Sequence, residues 1–205
     1  MFTLYKYQSK SLNPSHKYIL PVLKNLLNKY HSKSILDLGC GNGSVMKELT
    51  GIGYSCFGIE ASDDGFNFAT QNVGDNFVVQ GDITCLPALG LDFSNWDTFV
   101  CVEVIAHLYD PVAFMTSLND IVTRNQVVIL TYPYHGYLKN LVIAITGKFD
   151  SHVRPLWRGG YVKFFSRRTF SALCKQTGFE IQSYHRVGRI PLLWKTEIVV
   201  LKKER

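Results

Sequence analysis

Apolar runs and amphipathic stretches alternate along most of the chain. A short run such as Ile35-Leu36 or Phe99-Val100-Cys101 has the length and composition of a buried strand. The runs predict strands at 35–38, 54–59, 77–79, 97–104, 126–131, 179–187 and 194–201. Between them, apolar residues recur at the spacing that places them on one face of a helix, so helices are expected there.

Residues with capping chemistry mark where the predicted helices begin. They are Ser15, Ser62 and Ser166, and Asp110-Pro111 marks a further helix start with proline at its first position. The first helix is expected to run to about Tyr30, although Pro21 would interrupt its first turns or mark its real start. From 132 to 165 no clean pattern holds, and we interpret this segment as an insertion.

The alternation of strands with helices predicts an α/β fold, a doubly wound seven-stranded sheet that is mostly parallel. The last two strands are joined around Gly188 and Pro191 with little room for a helix, so this pair is expected to be antiparallel. At 205 residues one domain is the default, and we predict a single domain over 1–205.

Composition narrows the class of protein. Hydrophobic residues make up 46% and charged residues 19%, which is typical of a globular chain and not of a disordered one. The net charge of +6 is compatible with an anionic substrate, a nucleic acid or an acidic membrane, but the basic residues are scattered. Five cysteines without a C-x-x-C pair indicate reduced thiols and a cytoplasmic location. No signal peptide is evident, and the apolar run 141–145 is far too short to span a bilayer.

A glycine-rich turn follows the first predicted strand. Gly39, Gly41 and Gly43 come after Asp37, and glycine is used where the backbone takes a positive φ or approaches a ligand closely. A dinucleotide fingerprint, G-x-G-x-x-G, would need glycine at position 44, which is serine. Asp37 would repel a pyrophosphate and could pair with a cation. The turn therefore favours a positively charged nucleoside ligand, and an ordinary strand-to-helix turn is the alternative.

Acidic residues also follow the second and third predicted strands. Glu60 lies about 20 residues beyond the turn, where an acid can accept hydrogen bonds from vicinal ribose hydroxyls. Its alternative role is that of a surface carboxylate at a strand end. Asp82 follows the third strand, and its alternative role is to stabilise its own turn by bonding the backbone.

The stretch from Ile35 to Gly43 resembles motif I of the class I S-adenosylmethionine (SAM) methyltransferases, h-h-D-h-G-x-G-x-G, and the resemblance covers the chain from about Leu36 to the C-terminus. It implies the strand order 3-2-1-4-5-7-6 with strand 7 antiparallel, and SAM as cofactor with S-adenosylhomocysteine as product. In that family an Asp at the place of Asp82 binds the adenine amino group, and the next apolar residue, Ile83, packs on the ring. The implied cofactor-binding residues are Asp37, Gly39, Cys40, Gly41, Asn42, Gly43, Glu60, Ala61, Asp82, Ile83, Glu103 and Val104.

The stretch from Glu103 to Pro111 resembles the E-V-I-E-H-x-x-D-P segment of small-molecule O-methyltransferases, including those of ubiquinone biosynthesis. In some relatives the two acids and the histidine gather a divalent cation, and in others the histidine is proposed as a base. Ala106 replaces the second acid here, and Glu103 with His107 alone is a poor cation site, so we predict no metal. His107 is the candidate catalytic base or substrate-orienting group, and a structural role in packing the next helix is the alternative.

In the resembled family, segments at the place of 132–165 cover the substrate. The N-terminal arm and first helix, 1–30, are expected to form part of the same lid. Their rings and cations suit a ring-bearing or acidic acceptor, such as a sugar, a phenol or quinone precursor, or a carboxylate. The candidate substrate-binding residues are Tyr7, His135, Tyr137, His152, Arg154, Trp157 and Lys163, each of which could instead serve to fold the lid.

The leading hypothesis is a SAM-dependent methyltransferase that acts on a hydroxyl oxygen of a small molecule. The motif [DNS]-P-P-[YF], which follows strand four in enzymes that methylate exocyclic amines, is missing from that place. The alternatives are a tRNA- or RNA-modifying methyltransferase, motivated by the net charge, and a catalytically silent SAM-binding protein. We expect a small-molecule partner, no nucleic acid, no integral membrane contact, peripheral membrane contact if the substrate is a lipid, and a monomer or homodimer.

Overall fold

The computed structural model describes residues 11–153, 156 and 160–204. The strands are β1 (Ser34–Leu38), β2 (Ser55–Glu60), β3 (Val78–Gln80), β4 (Thr98–Cys101), β5 (Val127–Pro133), β6 (Phe179–Gly188) and β7 (Trp194–Lys203). The helices are α1 (His16–Lys29), α2 (Ser44–Thr50), α3 (Asp63–Val73), α4 (Pro111–Ile121), α5 (Tyr137–Ile145), α6 (Phe149–Val153) and α7 (Arg167–Gln176). A single 3-10 turn, Ile105–His107, follows β4.

Within this described part of the chain, seven strands form one sheet in the order β3-β2-β1-β4-β5-β7-β6. β7 is antiparallel to both β5 and β6, and the remaining pairs are parallel. The predicted fold class, strand order and antiparallel seventh strand are confirmed. The strand order reverses at β1 and β4, whose carboxyl ends therefore frame the crevice where such sheets bind ligands.

Apolar side chains pack on both faces of the sheet. On one face, α1 and α2 bury Leu23, Leu27 and Met46. On the other face, α4 and α7 bury Phe114 and Phe170. Central parallel strands are covered on both sides, which is why β5 is a nearly continuous apolar run in the sequence. With both faces covered, the strand ends are left to form a binding site.

The predicted helix starts are confirmed, but one of the predicted caps is wrong. The side chains of Ser62, Asp110 and Ser166 each accept a hydrogen bond from the backbone N–H three residues later. Ser15 makes no such bond, although it directly precedes α1. Helix α1 starts at His16 and continues through Pro21.

The fourth strand is shorter than predicted. β4 ends at Cys101, because Glu103 adopts a left-handed backbone with a φ of 58° and the chain leaves the sheet there. Apolar composition cannot reveal this change, since Val102 and Val104 read as a continuation of the strand. The N–H of Glu103 donates to Thr131 Oγ1 at 2.8 Å, which holds the turn against β5.

The segment 132–165 contains structure that the sequence pattern did not predict. β5 continues to Pro133, and α5 and α6 follow it. Neither helix has a fully buried residue. Because neither helix packs into the core, the sequence there carries no clean apolar pattern. Farther along, the N–H groups of Val162 and Lys163 both donate to Ala106 O, which ties the end of this segment to the turn after β4. In the described ranges no helix has the length and apolar content to cross a membrane.

Candidate active site

The glycine turn between β1 and α2 is a largely buried loop whose three glycines have left-handed backbones. Gly39, Gly41 and Gly43 have φ of 75°, 58° and 71°. A Cβ on Gly39 would lie 2.8 Å from Val104 Cγ2, and one on Gly43 would lie 3.0 Å from Ala69 Cα. Neither position can take another residue without strain. The fold also brings Val104, a predicted cofactor residue, directly against the turn.

Backbone hydrogen bonds fasten the turn to the neighbouring strand. The N–H groups of Gly39 and Cys40 both donate to Ile59 O, at 2.8 and 3.0 Å. The Cys40 side chain is buried toward Gly58, and burial raises the pKa of its thiol. Cys40 is therefore an unreactive packing residue whose main chain lines the turn.

Glu60 connects the end of β2 to the same turn. Its buried carboxylate accepts hydrogen bonds from Gly41 N at 2.8 Å, and from Ser62 N at 2.9 Å and Ser62 Oγ at 2.5 Å. A carboxylate has about four lone-pair sites, so these bonds leave room for about one further donor before an existing bond must move. Ala61, the next predicted cofactor residue, is exposed beside it.

The carboxyl group of Asp37 is buried near the carboxyl end of β1. The side chain is 2% exposed, and Oδ1 has no hydrogen-bond partner among the described residues. Burial, and secondly the negative charge of Glu60, raise the pKa of the Asp37 carboxyl to about 7. A ligand that brings positive charge or N–H donors would relieve both effects, whereas a pyrophosphate would worsen them. The residues of this pocket thus fit a cationic nucleoside such as SAM.

Asp82 follows β3 and bonds its own turn. Its Oδ1 accepts hydrogen bonds from Thr84 N and Thr84 Oγ1, both at 2.8 Å. The local role that the sequence left open is therefore present, and the predicted contact with adenine stays a prediction. Ile83, the residue expected to pack on the ring, is buried in the core cluster at this edge of the sheet.

The side chain of Glu103 is directed toward α1 and β7. Oε2 accepts a hydrogen bond from Ser15 Oγ at 2.5 Å, and Oε1 accepts one from Thr196 Oγ1 at 3.3 Å. Burial raises the pKa of the Glu103 carboxyl, while these hydrogen bonds and the nearby Lys195 oppose the rise. Its role in binding the cofactor stays a prediction, and its observed contacts join three elements around the crevice.

The segment before α1 lies over the glycine turn, and sequence reasoning missed its residues. Asn42 Nδ2 donates to Ser11 O at 3.0 Å, so the chain at 11–15 passes from the turn to Glu103. The next residue, His16, has a buried Nδ1 without a hydrogen-bond partner in the described ranges, and burial lowers the pKa of its imidazole to about 4. No motif marks these residues, because their contacts are made across distant parts of the chain.

His107 is held by the end of the insertion. Its Nδ1 lies 3.0 Å from Gly160 O, and its ring packs on Tyr161 with 4.8 Å between centroids. A carbonyl oxygen only accepts, so Nδ1 carries the proton of this bond. In the uncharged form of the ring the lone pair is then on Nε2, which is the tautomer that a general base requires.

The chain from Gly160 to Phe164 also links His107 to two further histidines, His135 and His152. Phe164, at its far end, packs edge-on against His135 with 4.9 Å between centroids, and His135 packs edge-on against His152 at 5.4 Å. The Nε2 atoms of both histidines are buried without a hydrogen-bond partner in the part of the chain described. Burial is the main cause that lowers both pKa values, that of His152 to about 4. Both rings are therefore neutral near pH 7 and offer unused polar atoms.

A half-buried lysine lies beside these histidines. Lys139 Nζ donates to Tyr134 O at 2.7 Å, and burial, with the charge of Lys195, lowers its pKa to about 8. Of the other predicted substrate residues, Tyr137 is 84% exposed and Lys163 is half-buried. Tyr7, Arg154 and Trp157 lie outside the described residues. Among those described, no group of three or more His, Cys, Asp or Glu side chains could hold a metal ion, and the predicted lack of a metal stays a prediction.

Comparison with known proteins adds the family. The family described as Methyltransferase domain matches residues 12–184. The chain is 24% identical over 183 residues to the ubiquinone biosynthesis O-methyltransferase of Glaesserella parasuis, an alignment that covers 85% of this chain and 76% of that protein. It is 26% identical over 176 residues to the protein of the same name from Rickettsia bellii, with coverages of 83% and 72%.

Solved structures share the architecture. Magnesium protoporphyrin IX methyltransferase from Synechocystis PCC 6803, with bound SAH, superimposes with a TM-score of 0.70 at 18% identity, over 93% of this chain and 84% of that one. At that identity the likeness concerns the fold alone. The sheet order, the strained glycine turn and the family match agree with one another: the chain belongs to the methyltransferase-domain family and is a class I SAM-dependent methyltransferase, as its motifs predict.

Proposed function

We propose that this enzyme methylates a hydroxyl oxygen of a small, ring-bearing acceptor. The observation that carries the proposal is the hydrogen bond from His107 Nδ1 to Gly160 O. It holds the imidazole in the tautomer of a base, just beyond the carboxyl end of β4, where the crevice of this fold opens. A hydroxyl acceptor needs such a base, because it must lose its proton as its oxygen is methylated.

The donor side of the site uses the residues around the glycine turn. SAM supplies an activated methyl group on a sulfonium. In the proposal, Asp37 Oδ1 faces the cationic end of the cofactor, Glu60 bonds the ribose hydroxyls, and Asp82 with Ile83 holds the adenine. The unpartnered oxygen of Asp37 and the main chain of the turn support this arrangement. The protein aligns the reactants and excludes water, which is the main task for a reagent that is already activated.

The acceptor side uses His107 and the segment 132–165. His107 Nε2 would take the proton that the acceptor hydroxyl releases while its oxygen bonds the methyl group. The bond from that methyl group to the sulfonium sulfur would break, which leaves S-adenosylhomocysteine. His135 and His152 are proposed to contact the acceptor, since their Nε2 atoms are buried without protein partners in the described ranges. The segments 1–30 and 132–165 are proposed to cover it as two parts of one lid within a single domain.

The acceptor class rests on relatives and on composition together. Both relatives described above carry the name ubiquinone biosynthesis O-methyltransferase. The aromatic and basic residues of the insertion suit an acceptor of the same broad kind, a phenol or quinone precursor. A cytoplasmic location and a monomeric or homodimeric state are further parts of the proposal.

A screen of acceptors tests the proposal directly. The purified enzyme is incubated with SAM and with phenols, catechols, sugars, carboxylic acids or tRNA, and S-adenosylhomocysteine is measured. We expect turnover with a phenol or catechol and loss of that turnover in His107→Ala. If SAM binds but S-adenosylhomocysteine never forms, the enzyme proposal fails and a silent SAM-binding protein replaces it. Turnover with tRNA alone would overturn the acceptor class.

A further inference from the structure

Four basic side chains lie together where the chain leaves β5. They are His135 after β5, Lys139 on α5, His152 on α6 and Lys195 on β7. We call these four side chains the basic cluster. It is at the same edge of the sheet as the turn of His107, because β4 and β5 are parallel neighbours. Arg186 of β6 also lies near, 5.0 Å from the centroid of the Tyr134 ring, but it is paired with Glu197.

The charges within the basic cluster act against one another. Burial, and then the positive charge of Lys195, lower the pKa of Lys139 to about 8. Burial, and then the charge of Lys139, lower the pKa of His152 to about 4. Burial and, to a smaller extent, Lys139 also lower the pKa of His135, although its bond with Asn140 opposes them. Like charges that repel one another in this way favour a bound anion, because an anion would stabilise their protonated forms.

The two histidines also present polar atoms that the protein leaves unused. The Nε2 atoms of His135 and His152 are buried, and neither has a hydrogen-bond partner within the described residues. The two rings are only 5.4 Å apart between centroids. Since a buried polar atom without a partner costs free energy, a pair of such atoms is typical of a place where a ligand supplies the partners.

The hydrogen bond to Asn140 decides what His135 can offer to an anion. Its Nδ1 lies 3.2 Å from Asn140 Oδ1, an oxygen that only accepts, so Nδ1 carries the proton and the neutral ring has its lone pair on Nε2. That lone pair would repel a carboxylate oxygen. The two atoms can bond only when a proton from solvent lies between them. Binding of a carboxylate should therefore take up close to one proton.

The chain from Gly160 to Phe164 limits the distance between the basic cluster and His107. Gly160 O accepts from His107 Nδ1, and the ring of Phe164 packs edge-on against His135. Four residues of extended chain span at most about 14 Å. A molecule with one aromatic ring and a short acidic side chain matches such a span. The ring of Phe164 adds an apolar surface beside the cluster, which also favours an aromatic acid.

We propose that the basic cluster binds a carboxylate of the methyl acceptor, so that the acceptor is a phenolic acid whose hydroxyl faces His107. His135 and His152 hold the two carboxylate oxygens through their Nε2–H groups, and Lys139 and Lys195 balance the negative charge. The carboxylate site stands on the contacts of the cluster, and the identity of its ligand as the methyl acceptor rests on the proposed methyltransferase function.

Calorimetry tests the carboxylate site without any turnover. The probes are para-hydroxyphenylacetate and its neutral isostere para-hydroxyphenylacetamide, each titrated into enzyme that is saturated with S-adenosylhomocysteine. At about pH 7 the acid should bind at least about tenfold more tightly than the amide, because its hydrogen bonds are charge-assisted. Titrations in two buffers of different ionisation enthalpy should show uptake of about one proton with the acid and none with the amide.

Variants identify the groups that hold the acid. His135→Gln and His152→Gln should each weaken binding of the acid about tenfold, and His135→Gln should abolish the proton uptake. The matched control is His185→Gln on β6, since burial lowers the pKa of His185 too, but that imidazole bonds Ser183. The control should leave affinity and proton uptake unaltered. Affinity for S-adenosylhomocysteine, expected to match wild type in all three variants, checks that they are folded.

The outcomes separate the two proposals. Equal affinity of wild type for the acid and the amide, absence of proton uptake, or no measurable binding of the acid overturns the carboxylate site. Binding of phenyl phosphate in place of the acid, weakened by the same variants, assigns the cluster to a phosphate ester and also overturns it. Formation of S-adenosylhomocysteine from SAM and each phenol is measured separately. Equal kcat/KM for the amide and the acid overturns the carboxylate site and keeps methyl transfer, whereas binding of the acid with proton uptake but without turnover of any phenol does the reverse.

Discussion

The hydroxyl of Ser15 donates a 2.5 Å hydrogen bond to Glu103 Oε2 and so joins the start of α1 to the left-handed turn after β4. Thr196 of β7 donates to the other oxygen of the same carboxylate. A carboxylate that is buried needs such donors, because burial without them is costly. The contact therefore holds the segment 11–15 across the mouth of the cofactor crevice.

Removal of this hydroxyl should loosen the start of α1. We expect Ser15→Ala to lower the free energy of unfolding by about 1–3 kcal/mol, because a buried acceptor loses its donor. The affinity for SAM should also fall, since the segment covers the glycine turn through Ser11 and Asn42. Chemical denaturation and calorimetry measure the two effects. Ser94→Ala is the control, since Ser94 Oγ bonds the exposed Asp92, and equal losses in both variants would contradict the role of Ser15.

Two glycines with similar backbones allow the crowding at the turn to be measured. Gly39 and Gly90 have φ of 75° and 65°, but a Cβ would clash with Val104 at Gly39 and meet nothing within 4 Å at Gly90. Gly90→Ala should cost about 1–2 kcal/mol of unfolding free energy and leave SAM affinity unchanged. Gly39→Ala should cost about 1–3 kcal/mol more and weaken SAM binding.

Relief of the clash provides the check on that comparison. Val104→Ala in the Gly39→Ala background should recover part of the lost stability, because it removes the atoms that the new Cβ meets. Thermal denaturation and calorimetry with SAM follow both properties. If the two alanine variants behave alike, the close approach of Val104 has no energetic effect.

Asp37 should make the free enzyme less stable as the pH rises. Its folded pKa is about 7 against 3.8 as its ordinary value, so the folded state keeps a proton that the unfolded chain loses between these values. Stability therefore declines across that window and levels off above about pH 7. His16, whose pKa is lowered to about 4, acts in the opposite direction, so the Asp37 contribution is taken as the difference between wild type and Asp37→Asn.

The same carboxyl should couple pH to cofactor binding. SAM affinity should increase from about pH 5 to about pH 8 in wild type, because ionised Asp37 attracts the cationic ligand. Asp37→Asn should bind SAM more weakly and lose this dependence, while its stability at pH 8 should equal or exceed that of wild type. Urea denaturation at a series of pH values, with calorimetry at the same values, measures both. A difference curve that is flat between about pH 4 and about pH 7 would contradict the assignment.

Replacement of His107 should reduce turnover and leave the affinity for SAM nearly unchanged. His107→Ala should reduce kcat by about 10²–10⁴-fold, the usual contribution of a general base, with SAM affinity within about twofold of wild type. The control is His185→Ala on β6, where the imidazole bonds Ser183 and lies away from the crevice. A large fall in melting temperature with little change in kcat would instead assign His107 to the packing of the turn.

Local chemistry made the glycine turn and the strand ends around the predicted cofactor site recognisable in the sequence. Gly39, Gly41 and Gly43 each have a positive φ, a backbone conformation that favours glycine. The residue type alone therefore indicates the conformation at these positions. Glu60 was predictable because strand β2 ends there and parallel strands bring their carboxyl ends to one edge. The end of β4 was not predictable, because the residue type of Glu103 does not indicate its left-handed backbone.

By itself the sequence determined the seven strands, the antiparallel last pair and the glycine turn, because apolar periodicity, short connections and glycine positions act over a few residues at a time. The strand order was implied by the family resemblance. Only the tertiary structure decided that Ser15 bonds Glu103, 88 positions away, and that His107 bonds Gly160, 53 positions away. It also decided that the apolar residues of α5 face outward and not into the core. Such contacts depend on how distant elements meet in three dimensions, and no local pattern of residue types records that.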